Sequence, residues 1–264
     1  MQALPAGRPL YRTVAGLPTR EYFLYIPESL QASPEMQQAA RVVVLMHGIS
    51  ENACEQILRF AHQAEKAGAV LVAPLMRRAV FGQYQQLVDP RRGTRSDLAL
   101  EDILHAVRLD MGLDAAPFDI FGFSGGGQFA HRFALLYPQA VRSSVIVAPG
   151  WFTFPDDGTE YPRGLDNLPD GLPPLDEAAV CTIPFHVIVG DRDIVRDASW
   201  RRSTELDRQQ GRTRLERAKR WHEAMCDWGA DQRSSLTILP QLGHSFPQAA
   251  RDHGLPALAL RLFG

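Results

Sequence analysis

Short apolar, β-branched runs that alternate with helical patterns predict an α/β fold, a mostly parallel sheet with helices on both faces. Three observations carry this. Arg41-Val-Val-Val-Leu-Met46 shows almost no polar alternation, as in a strand covered on both sides. Phe118-Asp-Ile-Phe121 and Phe185-His-Val-Ile-Val189 repeat the pattern. Between such runs lie stretches of helical period and length rather than two-residue hairpin turns.

The 264 residues are 45% hydrophobic and 22% charged, which excludes a disordered, collagen-like or coiled-coil chain. One domain spanning 1–264 is expected. The net charge of −2 gives no reason to expect nucleic acid as a partner. Three widely spaced cysteines, Cys54, Cys181 and Cys226, form no CxxC pair and read as buried apolar residues. The first residues lack the apolar core of a secretion signal, and no run approaches the length of a membrane span. A cytoplasmic location without membrane contact is therefore expected.

Tyr22–Ile26 reads as a strand ending at Pro27, and Arg41–Met46 as the next. A helix is predicted over 51–67 and a strand over Val70–Ala73, closed by Pro74. Ser96 is placed as the N-cap of a helix running to Met111, with Leu98, Ile103, Leu104 and Val107 on one side. Phe118–Phe121 is a strand, and Gly125–Tyr137 a helix stopped by Pro138. Ser144–Val147 and Phe185–Val189 are strands. Residues 199–228 are helical with a possible break at Gly211, Leu236–Leu239 is the last strand, and 247–262 is helical. The arginines of 192–220 are interleaved with Asp197, Glu205, Asp207 and Glu216, which reads as a solvated, ion-paired face.

Residues 152–180 break the rhythm. They hold five prolines and seven acids against one base, Arg163, with no periodicity. Starting directly after a strand, this insertion is expected to lie over the strand ends as a mobile lid.

In open α/β sheets the ligand site sits at the carboxyl ends of the strands. The residues just past each strand therefore carry the functional reading. Gly122-Phe-Ser124-Gly-Gly126 fits GxSxG between a strand and a helix. That setting forces the serine into a sharp turn, and it demands small neighbours so that strand and helix can approach. The serine oxygen then stands beside a helix N-terminus, whose free N–H groups suit a developing oxyanion. Three more motifs follow strands: Met46-His47-Gly48-Ile49-Ser50, Gly190-Asp191-Arg192-Asp193 and Gly243-His244-Ser245-Phe246.

With these four motifs in this order, the chain resembles the α/β-hydrolase superfamily from about residue 22 to the end. Within it, the His-Gly loop and GxSxGG elbow are most similar to esterases of the polyhydroxybutyrate-depolymerase and feruloyl-esterase type. Ile49 stands where many of those enzymes have a cysteine. The resemblance implies Ser124 as nucleophile, His244 as general base and Asp193 as the orienting acid, with Asp191 and Asp197 as competitors for the last role. It implies the backbone N–H groups of Ile49 and Gly125 as oxyanion donors.

Trp151, Phe152 and Phe246 are expected to wall an aromatic substrate cleft. Of the other histidines, His47 is expected to brace its own loop, His186 to be core-packed, and His62, His105, His131 and His222 to be on the surface or partly buried. No metal-binding motif is present, and Asp156 and Asp157 read as surface turn residues. No metal or cofactor is expected. The implied activity is cleavage of a small or oligomeric carboxylic ester through an acyl-enzyme. Amidase, thioesterase and carbon–carbon bond hydrolase chemistry fit the same triad, and a non-catalytic small-molecule binder and an interaction protein remain open. Oligomeric state is not legible.

Overall fold

Eight strands form one sheet in the order β1-β2-β4-β3-β5-β6-β7-β8. They are β1 Leu10–Val14, β2 Arg20–Tyr25, β3 Arg41–Met46, β4 Ala69–Pro74, β5 Phe118–Phe123, β6 Val141–Val147, β7 Phe185–Gly190 and β8 Ser235–Leu239. The computed structural model describes residues 4–196, 200, 203–230 and 233–264. β2 pairs antiparallel with β1 and β4, and every pairing from β4 through β8 is parallel. The mostly parallel α/β sheet is thus as the alternating runs predict.

β1 is absent from the sequence reading. Leu-Tyr-Arg-Thr-Val alternates between half-buried and exposed at the sheet edge, so it lacks the apolar run that marks the central strands. β3, β4 and β5 are buried along nearly their whole length. Two cores flank the sheet. One face carries Val43, Leu45, Leu71, Phe121 and Val145 against α1 (Ala53–Ala67), α6 (Phe246–Asp252) and α7 (Leu255–Leu262). The other carries Val44, Met46, Val72, Ile120 and Val187 against α2 (Ser96–Met111), α3 (Gly125–Leu136) and α5 (Arg214–Met225). Alternate residues of one strand thus feed opposite cores. All twelve residues of α3 are buried, which makes it the central helix.

Several local expectations need correction. Ser96 is the first residue of α2 rather than its cap, and its hydroxyl donates to the Tyr84 and Leu87 carbonyls instead. The helical stretch over 199–228 does break at the expected Gly211, φ 103°, into α4 (Thr204–Gln210) and α5, restarted by the Thr213 cap. The C-terminal helix breaks at Gly254, φ 58°, between α6 and α7. The three cysteines are half-buried rather than core residues.

The insertion after β6 is not a free lid. Phe152, Thr153 and Phe154 are buried. Thr153 donates its N–H to His131 Nε2 at 2.9 Å, and its carbonyl accepts the Trp221 indole N–H at 2.7 Å. Farther along, the Tyr161 hydroxyl donates to the Gln86 carbonyl and Arg95 to the Gly171 carbonyl. The prolines and acids shape an irregular path whose apolar side chains join the core with α3 and α5. His131 is correspondingly fully buried rather than superficial or partly buried, and burial holds its pKa well below the ordinary histidine value.

Among the described residues no helix is long and apolar enough to cross a membrane.

Candidate active site

Ser124 sits between β5 and α3 with φ 55° and ψ −113°, a backbone conformation that a side chain makes costly. Its amide is anchored to the Val147 carbonyl on β6 at 2.8 Å. The turn is possible only because its flanks are glycine. A Cβ on Gly122 would fall 2.1 Å from the Gly126 oxygen, and one on Gly126 1.9 Å from the Met46 oxygen. Both are overlaps with backbone that no rotamer relieves.

The loops after β7 and β8 bring two more groups to this turn. The Asp191 amide donates to Leu239 and the Arg192 amide to Leu242, so the two loops travel together. His244 Nε2 lies 3.0 Å from Ser124 Oγ, and its Nδ1 lies 2.8 Å from Asp193 Oδ2. A carboxylate can only accept, so Nδ1 carries the proton and Nε2 faces the serine as acceptor. The imidazole also stacks on Phe123, with centroids 5.0 Å apart. Asp193, not Asp191, makes the His244 contact, while Asp197 lies outside the described residues.

The other oxygen of Asp193 reveals a partner that the sequence reading assigned elsewhere. Arg214 Nη1 lies 3.1 Å from Asp193 Oδ1, with both side chains 1% exposed. Arg217, one turn on, donates to Asp207 at 2.9 Å and to the Gly150 carbonyl at 2.6 Å. Both guanidiniums lie over the Trp200 ring, at 5.2 Å and 4.0 Å. The expected solvated arginine face is, at these positions, a buried bracket. Mixed charge at helical spacing looks the same in either case. Only the tertiary fold, which brings the acid loop against α5, tells them apart.

Across the turn, His47 is fully buried. It accepts the Met76 N–H at Nε2 and meets the Gly48 carbonyl through Nδ1 at 2.6 Å, which ties the β3 loop in place. Burial lowers its pKa, so the ring is neutral. The Tyr84 hydroxyl donates to the His47 carbonyl at 2.8 Å. The backbones of Ile49 and Gly125 lie side by side, since a Cβ on Gly125 would be 3.5 Å from the Ile49 nitrogen.

A cleft of about 430 Å³ opens over Ser124 and His244, walled by Ile49, Phe123, Phe246 and Pro247 with Asn52 and Glu55 at its polar side. Phe246 lines this cleft. The other two aromatics do not. Phe152 is fully buried, stacked on Trp221 at 4.8 Å and held on both sides by the Gln210 amide. Trp151 lies under the Arg132 guanidinium at 4.2 Å and lines a separate hollow with Pro162, Arg163 and Leu206. The apolar run is legible in the sequence, but its direction, into the core rather than over the serine, is not. Among the described residues, no three His, Cys, Asp or Glu side chains are grouped to hold a metal ion.

No family model matches the chain, and no curated protein does either. Solved structures do. Poly(aspartic acid) hydrolase-1 from Sphingomonas sp. KT-1 superposes with a TM-score of 0.79 at 23% identity, covering 97% of this chain and 100% of that one. LpqC, a poly(3-hydroxybutyrate) depolymerase from Bordetella parapertussis, gives 0.75 at 23% identity over 98% and 95%. The chain has the α/β-hydrolase fold. FphF, a fluorophosphonate-binding serine hydrolase of Staphylococcus aureus, shares this fold at lower similarity, with a TM-score of 0.65 and 14% identity over 98% and 100%. In the α/β-hydrolase frame, the turn after β5 and the loops after β3, β7 and β8 all converge at the carboxyl edge of the sheet.

Proposed function

We propose that this chain is a serine hydrolase that cleaves carboxylic esters through an acyl-enzyme. The observation that carries the reading is the continuous contact from Asp193 through His244 to Ser124, at 2.8 Å and 3.0 Å, beside the Ile49 and Gly125 amides. Ser124 Oγ attacks the ester carbonyl while His244 Nε2 takes its proton. The oxyanion is held by the N–H groups of Ile49 and Gly125, with α3's N-terminus behind them. His244 returns the proton to the departing alcohol. Water then enters, loses a proton to His244 and releases the acid from Ser124. Asp193 holds the imidazole in the tautomer that this cycle requires and offsets the imidazolium charge.

An amide substrate is the second reading. One structural neighbour is named for poly(aspartic acid), whose linkages are amides, and the same triad serves both reactions.

The test is intact-mass spectrometry after exposure to a fluorophosphonate, for wild type and Ser124→Ala. One adduct on wild type, absent from a folded variant, is expected. An adduct that persists in the variant would place the reactive group elsewhere and refute the assignment, and none on folded wild type would favour a binding protein. Matched ester and amide substrates then separate the two readings.

A further inference from the structure

A second hollow, of about 590 Å³, lies on the far side of the Ile49–Ser50 step from the cleft over Ser124. Ile49 and Ser50 line both spaces, so the two meet at the oxyanion loop. Their chemistry differs. The cleft offers Phe123, Phe246 and Pro247. The hollow offers Arg78, Arg91 and Arg92 together with Glu51 and Asp89.

Each of the two acids holds a backbone N–H and keeps its negative charge, so three guanidiniums face two carboxylates in the hollow. Glu51 accepts the Arg78 backbone N–H at 2.8 Å. Asp89, 4% exposed, accepts the Arg91 backbone N–H at 3.0 Å. Arg92 is engaged too, donating to the Arg78 and Ala79 carbonyls at 2.9 Å each. The Arg78 and Arg91 guanidiniums are different. Both residues are exposed, and among the described residues neither guanidinium has a hydrogen bond or ion pair. Arg78 is also tied to the oxyanion loop, because its backbone N–H donates to Glu51, two residues past Ile49. Two unsatisfied planar forks beside a polar hollow suit a carboxylate, which each can grip through two parallel N–H bonds.

We propose that the hollow lined by Arg78 and Arg91 binds a carboxylate on one half of the substrate while the other, apolar half occupies the Phe123–Phe246 cleft. The substrate class is thus an ester that itself carries a carboxylate. This deepens the hydrolase reading and rests on it.

The experiment compares kcat/KM within two pairs of esters of equal reach. Phenyl hydrogen glutarate against phenyl pentanoate places the carboxylate on the acyl half. 4-Acetoxybenzoate against phenyl acetate places it on the alcohol half. The expected result is a preference of about 10-fold or more for the charged member in one pair, expressed mainly in KM. That preference should shrink as salt rises from 0.05 to 0.5 M, because the arginines are exposed. It should collapse to within about 2-fold in the double variant Arg78→Ala, Arg91→Ala, the size left when exposed pairs are removed. Equal rates within both pairs, or a preference that survives the double variant, would overturn the proposal. Should that variant fold poorly, a salt-independent preference in wild type overturns it equally. Wild type labelled at Ser124 by fluorophosphonate but indifferent to charge sinks this inference alone. Wild type neither labelled nor active sinks the hydrolase reading with it.

Discussion

Arg78, Arg91 and Arg92 near the loop after β3 and Arg196, Arg214 and Arg217 near the loop after β7 are two arginine clusters flanking Ser124. In sequence they look alike. In the fold they are opposites. The first three are exposed around an open hollow. Of the second, Arg214 and Arg217 are buried, paired with Asp193 and Asp207, and packed on Trp200. Burial pulls the Arg217 guanidinium down to about 10, which leaves it charged at neutral pH. A cation that cannot shed its proton must be matched where water is excluded, so the buried cluster acts as a bracket. An exposed cation with no partner is available to a ligand. Burial, not residue type, decides the role.

The largest effect is expected from breaking the bracket at Asp193. Arg214→Met leaves Asp193 buried without its cation. A stability loss of about 3–5 kcal/mol is expected in urea unfolding. In the folded fraction, kcat should fall by roughly 100-fold through misplacement of the carboxylate. Unchanged kcat alongside lost stability would make Arg214 a scaffold residue only. Arg217→Met tests the same bracket one turn away. It should lose about 2–4 kcal/mol, less because Asp207 remains partly hydrated, with kcat within a few-fold of wild type.

Buried imidazoles supply the third case, since they can discharge. Fully buried His47 and His131, and half-buried His186 in place of the expected core-packed ring, all have pKa values lowered chiefly by desolvation. The unfolded chain binds their protons below about pH 6.5 while the folded chain resists, so stability is complete above that pH and falls on acidification. Melting temperature should decline from about pH 6.5 downward. A flat profile to pH 5 would contradict the burial of these rings as neutral groups. The smallest effect belongs to the exposed cluster, where Arg78→Ala should shift unfolding by no more than about 0.5 kcal/mol.

The same contrast explains what could be read in advance. β3, β5 and the turn at Ser124 were legible because continuous apolar runs and paired glycines leave few alternatives. His244 stood out as the one histidine just past the last strand, whereas Asp193 shared its loop with Asp191 and Asp197 and was preferred only through the resemblance. β1 was not legible, because an edge strand need bury only part of itself. Arg214 was not, because its partner lies 21 residues away on another loop and its own neighbours are charged. Proline and acid content at 152–180 suggested mobility, whereas the four residues Trp151–Phe154 anchor that segment in the core. Composition reports what the backbone avoids, and packing depends on what the side chains meet.

The left-handed φ of 55° at Ser124 has a consequence for how far this protein can be stabilised. A serine held there costs about 1–3 kcal/mol that a glycine would largely escape. Ser124→Gly is therefore expected to melt at a higher temperature than wild type, by the equivalent of about 1 kcal/mol, while losing the reactive hydroxyl. A variant that melts at or below wild type would place the strain elsewhere. Thermal endurance alone would favour glycine at this position, so the turn sets robustness against the reactivity proposed for Ser124.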